Sequence, residues 1–265
     1  MIKKQFYAFL IISILIACNK KKDSTEESII STEEIIHETT SDVPEQSLSN
    51  ETTNRHPDYP KRIDLDFNTH KDILDIILLL PDEVFTSWAW SKNDRQSWYD
   101  EIKKNDYYLD NDPIFLNQMY LTPHTAGFSI IDGYWTISIY KTNDNSFIVV
   151  TDDIVSDGNG IFIIEVKDNE ILNSFTQEEV FGNFEELVTL PNLSTDCIKK
   201  IENSELSIYD VELKDKSLVT FESSWYHTES EYKNCLKGNT VQYIFNPDTK
   251  AFDVQKIYWK PKRNY

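Results

Sequence analysis

The spacing of hydrophobic positions changes once along the chain, near Asn105. Before it, apolar side chains recur three and four positions apart, as in Ile73, Ile76, Ile77 and Leu80. This spacing predicts two helices, over about 69–80 and 92–104, with a capping box at Thr69–Asp72 and a stop at Pro81. After Asn105, short runs rich in Ile, Val, Phe and Tyr alternate with turn residues, which predicts antiparallel strands joined by hairpins.

The predicted strands form two groups. The first contains Phe128–Ile131, Tyr134–Lys141, Phe147–Thr151 and Ile161–Lys167. The second follows a short helix that starts at Ser194 or Thr195, and contains Leu206–Leu213, Leu218–Tyr226, Val241–Phe245 and Phe252–Tyr258. In Tyr134–Lys141 apolar and polar residues alternate, which predicts one apolar face and one wetter face. We therefore predict an α+β fold, with N-terminal helices followed by antiparallel β-meanders.

The start of the chain has a different pattern. Lys3 and Lys4 precede an apolar run, Phe6–Ile16, of eleven residues, and Leu15-Ile16-Ala17-Cys18 closes it. A transmembrane helix needs about 20 apolar residues, so this run is too short to span a bilayer. An ordinary cleaved secretory signal has this length too. The small residue before the cysteine resembles the lipobox of bacterial lipoproteins, which implies a signal peptide over 1–17 and a membrane anchor through lipid on Cys18.

The segment behind Cys18 is polar. Residues 18–62 are rich in Ser, Thr, Glu and Asn and contain no Trp or Phe, which predicts a disordered acidic tether. Its charged start, Lys20–Glu27, resembles the surface-export signals of Bacteroidota lipoproteins, although solvated linker charges explain it equally well. The general plan resembles uncharacterised Bacteroidota lipoproteins. It implies a location in the bacterial cell envelope, at the outer membrane, with the surface or periplasmic face left open.

Domain boundaries and charge limit the function further. The regions 63–182 and 183–265 each run from helix to strands, and they form either two domains or one. The formal charge is −19, with 45 acidic and 26 basic residues. Such a charge argues against nucleic acid, whose phosphates need Lys and Arg, and against adhesion to an anionic membrane by a basic patch.

Two cysteines remain once Cys18 is assigned to lipid. Cys197 and Cys235 form an even pair, and exported compartments permit oxidation, so a disulfide is predicted. Closing a loop of about 39 residues stabilises a fold by roughly 4 kcal/mol in the chain-entropy model. The alternative is two reduced, buried thiols that pack as small apolar side chains.

The sequence lacks the common motifs of catalytic, phosphate-binding and metal sites. There is no GxSxG, P-loop, SxxK or HExxH, so we assign no catalytic residue, metal ligand or cofactor. The group Asp152, Asp153, Asp157 and Asn159 is either a calcium loop or, more economically, a tight hairpin. If Trp88-Ala89-Trp90 is extended, both rings share a face, and an exposed pair would be a ligand-binding platform; otherwise the rings belong to the core.

These features favour a binding module over an enzyme. The leading hypothesis is a membrane-anchored lipoprotein whose domain binds a glycan or an envelope protein. The alternative is a hydrolase of unrecognised type, which would need two carboxyl groups about 5–10 Å apart in a cleft.

Overall fold

The structure is a computed structural model. It describes residues 63–85, 87–105, 108–109, 118–130, 133–155, 158–204, 206, 209–213 and 217–262. The predicted signal peptide, Cys18 and the tether precede residue 63 and lie outside the described residues. None of the helices within the described ranges is long and apolar enough to cross a membrane.

The structure contains the predicted succession of N-terminal helices and antiparallel strands, together with short helices and strands that the sequence does not predict. The helices are α1 (Phe67–Leu79), α2 (Lys92–Asn105), α3 (Gln177–Phe181), α4 (Phe184–Val188), α5 (Thr195–Glu202) and α6 (Glu229–Tyr232), with a 3₁₀ turn at Asp82–Phe85. The strands are β1 (Ile63–Asp64), β2 (Tyr108–Leu109), β3 (Gln118–Leu121), β4 (Thr125–Ile130), β5 (Gly133–Lys141), β6 (Phe147–Val155), β7 (Gly158–Lys167), β8 (Glu170–Phe175), β9 (Asp210–Leu213), β10 (Leu218–Glu222), β11 (Thr240–Asn246) and β12 (Ala251–Tyr258).

The strands form two antiparallel meanders. Strands β3 to β8 pair in chain order as a six-stranded sheet, and β9 to β12 pair in chain order as a four-stranded sheet. Strands β1 and β2 pair separately. The predicted class, helices followed by antiparallel sheets in an α+β fold, is therefore confirmed for the described residues.

The first helix begins two residues before its predicted start. Asp66 is the N-cap, and its carboxylate accepts hydrogen bonds from the backbone N–H of Asn68 (2.9 Å) and the hydroxyl of Thr69 (2.6 Å). The predicted capping box at Thr69 is therefore wrong, because an aspartate three positions earlier satisfies the free N–H groups. The hydrogen bonds also lower the pKa of Asp66, that from the Thr69 hydroxyl most.

The central strand β5 of the six-stranded sheet is buried on both faces over most of its length. Trp135, Ile137 and Ile139 of β5 face α1 and α2 in one hydrophobic cluster. On the other face, Ser138 is 1% and Tyr140 4% exposed, because β9 and the short helices cover that side. The predicted wetter face of β5 is thus wrong. Local alternation cannot show that a second meander returns to cover it.

A buried arginine organises the segment between α1 and α2. The Arg95 guanidinium is completely buried and donates to the carbonyl groups of Trp90 (2.5 Å) and Leu80 (2.7 Å). It also pairs with the Asp82 carboxylate at 2.9 Å and lies 4.4 Å from the ring centroid of Phe85. One side chain therefore satisfies two backbone carbonyl groups that would otherwise be buried unpaired.

A second ionic contact joins the two sheets. Lys250, in the β11–β12 turn, donates to Asp144 (2.9 Å) and Glu165 (2.6 Å), and Ser146 also donates to Glu165 (2.7 Å). Glu165 and Asp144 raise the pKa of Lys250. Burial alone would raise the pKa of Glu165, but hydrogen bonds from Lys250, Ser146 and Asn173 hold that pKa below its usual value.

Candidate functional site

The side of the four-stranded sheet that faces away from the hydrophobic cluster carries polar side chains, of which Thr220, Glu222 and Thr240 are buried. Alternate residues of β9 to β12, among them Val211, Phe221 and Tyr243, belong to the hydrophobic cluster between the sheets. Because successive side chains of a strand point to opposite faces, their neighbours point outward. We call this surface the outer face.

Strand pairing arranges the outer face in two rows. The first row crosses the sheet from β9 to β12 through Asp210, Glu222, Thr240 and Tyr258. The second row crosses it through Glu212, Thr220, Gln242 and Lys256. Neighbouring strands lie about 4.8 Å apart, so each row spans about 14 Å.

The first row is covered by the residues that follow β10. The indole N–H of Trp225 donates to the Asp210 carboxylate at 2.7 Å. Glu222, 2% exposed, accepts hydrogen bonds from the Ser224 hydroxyl and the Lys260 ammonium. These contacts anchor the two carboxylates and set the half-buried Trp225 ring at the edge of the outer face.

In the second row, the side chains on either side of Thr220 are more exposed to solvent than Thr220 itself. Glu212 and Gln242 are half-buried and Lys256 is exposed, with its ammonium 4.6 Å from the ring centroid of Tyr258. Between them Thr220 is 1% exposed, and within the described part of the chain its Oγ1 has no hydrogen-bond partner. A buried hydroxyl without a partner costs about 1–3 kcal/mol, so this atom is poised to bond with a group that reaches it.

Sequence patterns did not reveal this site. The sequence predicts that Trp225 lies inside a strand, Leu218–Tyr226, but β10 ends at Glu222 and a turn follows, in which the Tyr226 N–H bonds to the Ser223 carbonyl (3.2 Å). The rows depend on the register of β9 to β12, which joins residues up to 48 positions apart, such as Asp210 and Tyr258. The only local signal was the alternation of apolar and polar residues in β9.

Trp88 and Trp90 do not form an exposed platform. Ala89 between them has a φ of 52°, so this segment is not extended. The two rings stack on each other with centroids 4.2 Å apart, and Trp90 is only 9% exposed. Both pack against Phe128, at 4.9 and 5.1 Å. Of the two interpretations of this segment, the structure agrees with the one in which both rings belong to the core, here between the helices and the large sheet.

Cys197 and Cys235 are joined by a disulfide bond, with Cα atoms 5.4 Å apart. Cys197 lies in the first turn of α5, where its N–H donates to the Ser194 hydroxyl (3.2 Å). The bond connects α5 to the segment that leads into β11. The disulfide belongs to the hydrophobic cluster of the second sheet and is buried, with Cys197 7% and Cys235 4% exposed.

The carboxylates of the candidate calcium loop point apart. Asp152 and Asp153 are neighbours on β6 and face opposite sides of the sheet. Asp153 accepts hydrogen bonds from Ser87, and its neighbour is completely buried on the other side. Asp157 lies outside the described residues. Elsewhere in the described ranges, too, the structure brings together no group of three His, Cys, Asp or Glu that could hold a metal ion.

A cleft of about 240 Å³ lies beside α3 and α4. It is lined by Gln177, Glu178, Gly182, Asn183, Phe184, Glu185, Leu206 and Tyr209. Burial raises the pKa of Tyr209; the hydrogen bond from Gln177 opposes that shift and the charge of Asp152 adds to it. Phe184 and Phe221 pack against the Tyr209 ring, with centroids 4.8 and 5.1 Å away. The cleft is smaller than the usual 300–1,000 Å³ of ligand pockets. The Tyr209 ring that lines it already packs against Phe184 and Phe221.

Comparison with known proteins assigns no function. The sequence matches no family model and no curated protein. A solved structure, of a domain of an uncharacterized protein from Porphyromonas gingivalis W83, is similar with a TM-score of 0.45 and 14% identity over 69% of this chain and 98% of that chain. A likeness of that size transfers no residue role.

Proposed function

We propose that this chain is a membrane-anchored lipoprotein whose folded part is a non-enzymatic binding module for a glycan. The observation that carries the proposal is the outer face: two rows of mainly polar side chains, with the half-buried ring of Tyr258 in the first row and that of Trp225 bonded to Asp210. In this proposal the lipid on Cys18 holds the module at the outer membrane of a bacterial cell envelope.

Sugar rings have apolar C–H faces and a rim of hydroxyl groups. A protein binds them with flat aromatic side chains and with a mixture of hydrogen-bond donors and acceptors. The second row supplies a carboxylate, a hydroxyl, an amide and an ammonium in sequence, and Trp225 supplies a ring fixed by its bond to Asp210. This combination supports a glycan more than an envelope protein, whose interface would need a larger apolar centre.

A hydrolase remains the alternative prediction. Asp210 and Glu222 face each other across β9 and β10, and directly opposite residues have Cβ atoms about 4.5–5.5 Å apart. Both carboxylates, however, are engaged by Trp225, Ser224 and Lys260. A general acid or a nucleophile must be reachable by substrate, so this arrangement favours binding.

The test is retention of the purified protein on a panel of immobilised polysaccharides, followed by calorimetry with those that bind. Trp225→Ala removes the ring, and we expect at least tenfold weaker binding; Trp225→Phe keeps a ring and should bind more tightly than the alanine variant. Leu172→Ala is the control, because Leu172 is an accessible apolar residue, 47% exposed, that lies on the other sheet and away from the outer face.

Two results would overturn the proposal: no retention on any polysaccharide, or wild-type affinity in Trp225→Ala. Release of soluble sugar from a retained polysaccharide, lost in Asp210→Asn, would establish the hydrolase instead. Retention of an envelope protein alone would establish the protein-binding alternative.

The anchor is tested separately. Cys18→Ala should leave an unprocessed precursor, because the thioether to the lipid requires sulfur. Protease treatment of intact cells, with a periplasmic protein as control, should degrade the domain if it faces outward. Protection until the outer membrane is opened would place it on the periplasmic face. Normal acylation and cleavage of the Cys18→Ala chain would contradict the anchor.

A further inference from the structure

We infer that the glycan is a neutral, linear chain that crosses the four strands along the second row, and that Thr220 donates or accepts a hydrogen bond with it. This inference rests on the proposed function, and adds to it the charge, the direction and the minimum length of the ligand, together with one residue that determines its binding.

The charge of the ligand follows from the ends of the row. Glu212 stands at the β9 end and Lys256 at the β12 end, while Thr220 and Gln242 between them are uncharged. The row itself therefore favours neither sign. The whole chain carries −19, so it repels polyanionic polysaccharides at long range. A neutral glycan is therefore the ligand class that is consistent with both the balanced charges of the row and the negative charge of the chain.

The length and direction follow from the sheet. Four strands give a row of about 14 Å, in which groups that form hydrogen bonds recur about every 4.8 Å. A single sugar reaches only part of this row, whereas a chain of several sugars meets all four positions at once. Each further contact is then made without a new loss of overall translational freedom, so affinity rises with chain length until the row is filled.

The position of Thr220 gives the second, independent observation. It stands at the centre of the row, is 1% exposed, and has an Oγ1 without a hydrogen-bond partner among the described residues. The side chains next to it across the sheet, Glu212 and Gln242, are long, rotatable and half-buried. In the proposed complex the Gln242 side chain rotates, so that the ligand reaches the Thr220 hydroxyl and the amide bonds to the same sugar.

The first experiment is a length series. Calorimetry of the purified wild-type protein with glucose and with cello-oligosaccharides of two to six units should show affinity that rises with each unit and levels off at about three or four. Glucuronic acid oligomers of equal length should bind at least tenfold more weakly. No binding of any member of the series, equal affinity along it, or equal affinity for the acidic oligomers would overturn this inference and leave the proposed glycan binding intact. Failure of every polysaccharide in the panel would overturn the proposed function.

The second experiment uses two variants of one residue. Thr220→Val has nearly the same shape and no hydroxyl, and should bind the longest oligomer about five- to tenfold more weakly. Thr220→Ser keeps the hydroxyl and should stay within about twofold of wild type. In the absence of ligand, Thr220→Val should unfold at the same or a higher urea concentration, since it removes an unpaired buried hydroxyl. Unchanged affinity in Thr220→Val, or equal loss in both variants, would contradict the role of this hydroxyl.

Discussion

Replacement of Arg95 by methionine should cost the fold about 3 kcal/mol. Methionine keeps most of the volume of the side chain and removes its donors, so the carbonyl groups of Leu80 and Trp90 stay buried without partners. Each such group costs about 1–3 kcal/mol, which gives about 2–6 kcal/mol for the two together. The ion pair adds little, because Asp82 is 63% exposed and its charge remains hydrated after the change.

Asp82→Asn is the matched control. It removes the charge of the pair and leaves the two carbonyl bonds of Arg95 in place, so its loss should stay below about 1 kcal/mol. Urea unfolding, followed by tryptophan fluorescence, measures both variants. The signal is suited to this change because Trp88, Trp90 and Trp98 lie together next to the affected segment.

The two variants together test the explanation. A loss below about 1 kcal/mol in Arg95→Met would show that water or other donors satisfy the carbonyl groups. Equal losses in Arg95→Met and Asp82→Asn would show that the ion pair, and not the carbonyl bonds, holds the segment.

Three further predictions concern the second sheet and its ionic contact with the first. A Cβ at Gly238 would lie 2.5 Å from the Tyr258 carbonyl oxygen, so Gly238→Ala should displace the end of β12 and lower the thermal unfolding temperature, and an unchanged temperature would refute this. Reduction of the disulfide, which spans 38 residues, should cost about 4 kcal/mol in urea unfolding; a loss near zero would contradict the entropic estimate. The lowered pKa of Glu165 means that its stabilisation is present above its unfolded pKa and is lost as pH falls through the folded one. Wild type should therefore lose more stability than Lys250→Met between neutral and acid pH, and equal losses would refute the linkage.

Local periodicity predicted elements whose side-chain pattern is repeated within the element. The helix carrying Trp98 and the strand carrying Trp135 lie within a residue or so of their predicted bounds, as does the helix after Ser194. A capping box at Thr176, with Glu179 bonded back to its N–H (2.7 Å), was a readable signal that was missed. It starts α3, which the hydrophobic pattern alone does not show because only its last two residues are buried.

Features that depend on distant parts of the chain were predicted wrongly or not at all. The polar face of β5 is buried because the second sheet, made of β9 to β12, packs on that side. Trp90 is buried because Ala89 adopts a positive φ, which the sequence Trp-Ala-Trp does not indicate. The rows of the outer face exist only through strand register. Without that register, Thr220 is one polar residue among many in the sequence.

The most direct test of the outer face as a glycan site is an NMR titration of the tryptophan indole N–H signals. The chain has six tryptophans, of which Trp88, Trp90, Trp98 and Trp135 share the cluster between the helices and the large sheet, whereas Trp225 lies at the outer face. Addition of a neutral oligosaccharide that the protein retains should move the signal of Trp225 in a saturable way and leave those of Trp88, Trp90, Trp98 and Trp135 in place. Movement of the Trp88 or Trp90 signals with Trp225 unchanged would place the ligand on the helix side of the large sheet and contradict the account.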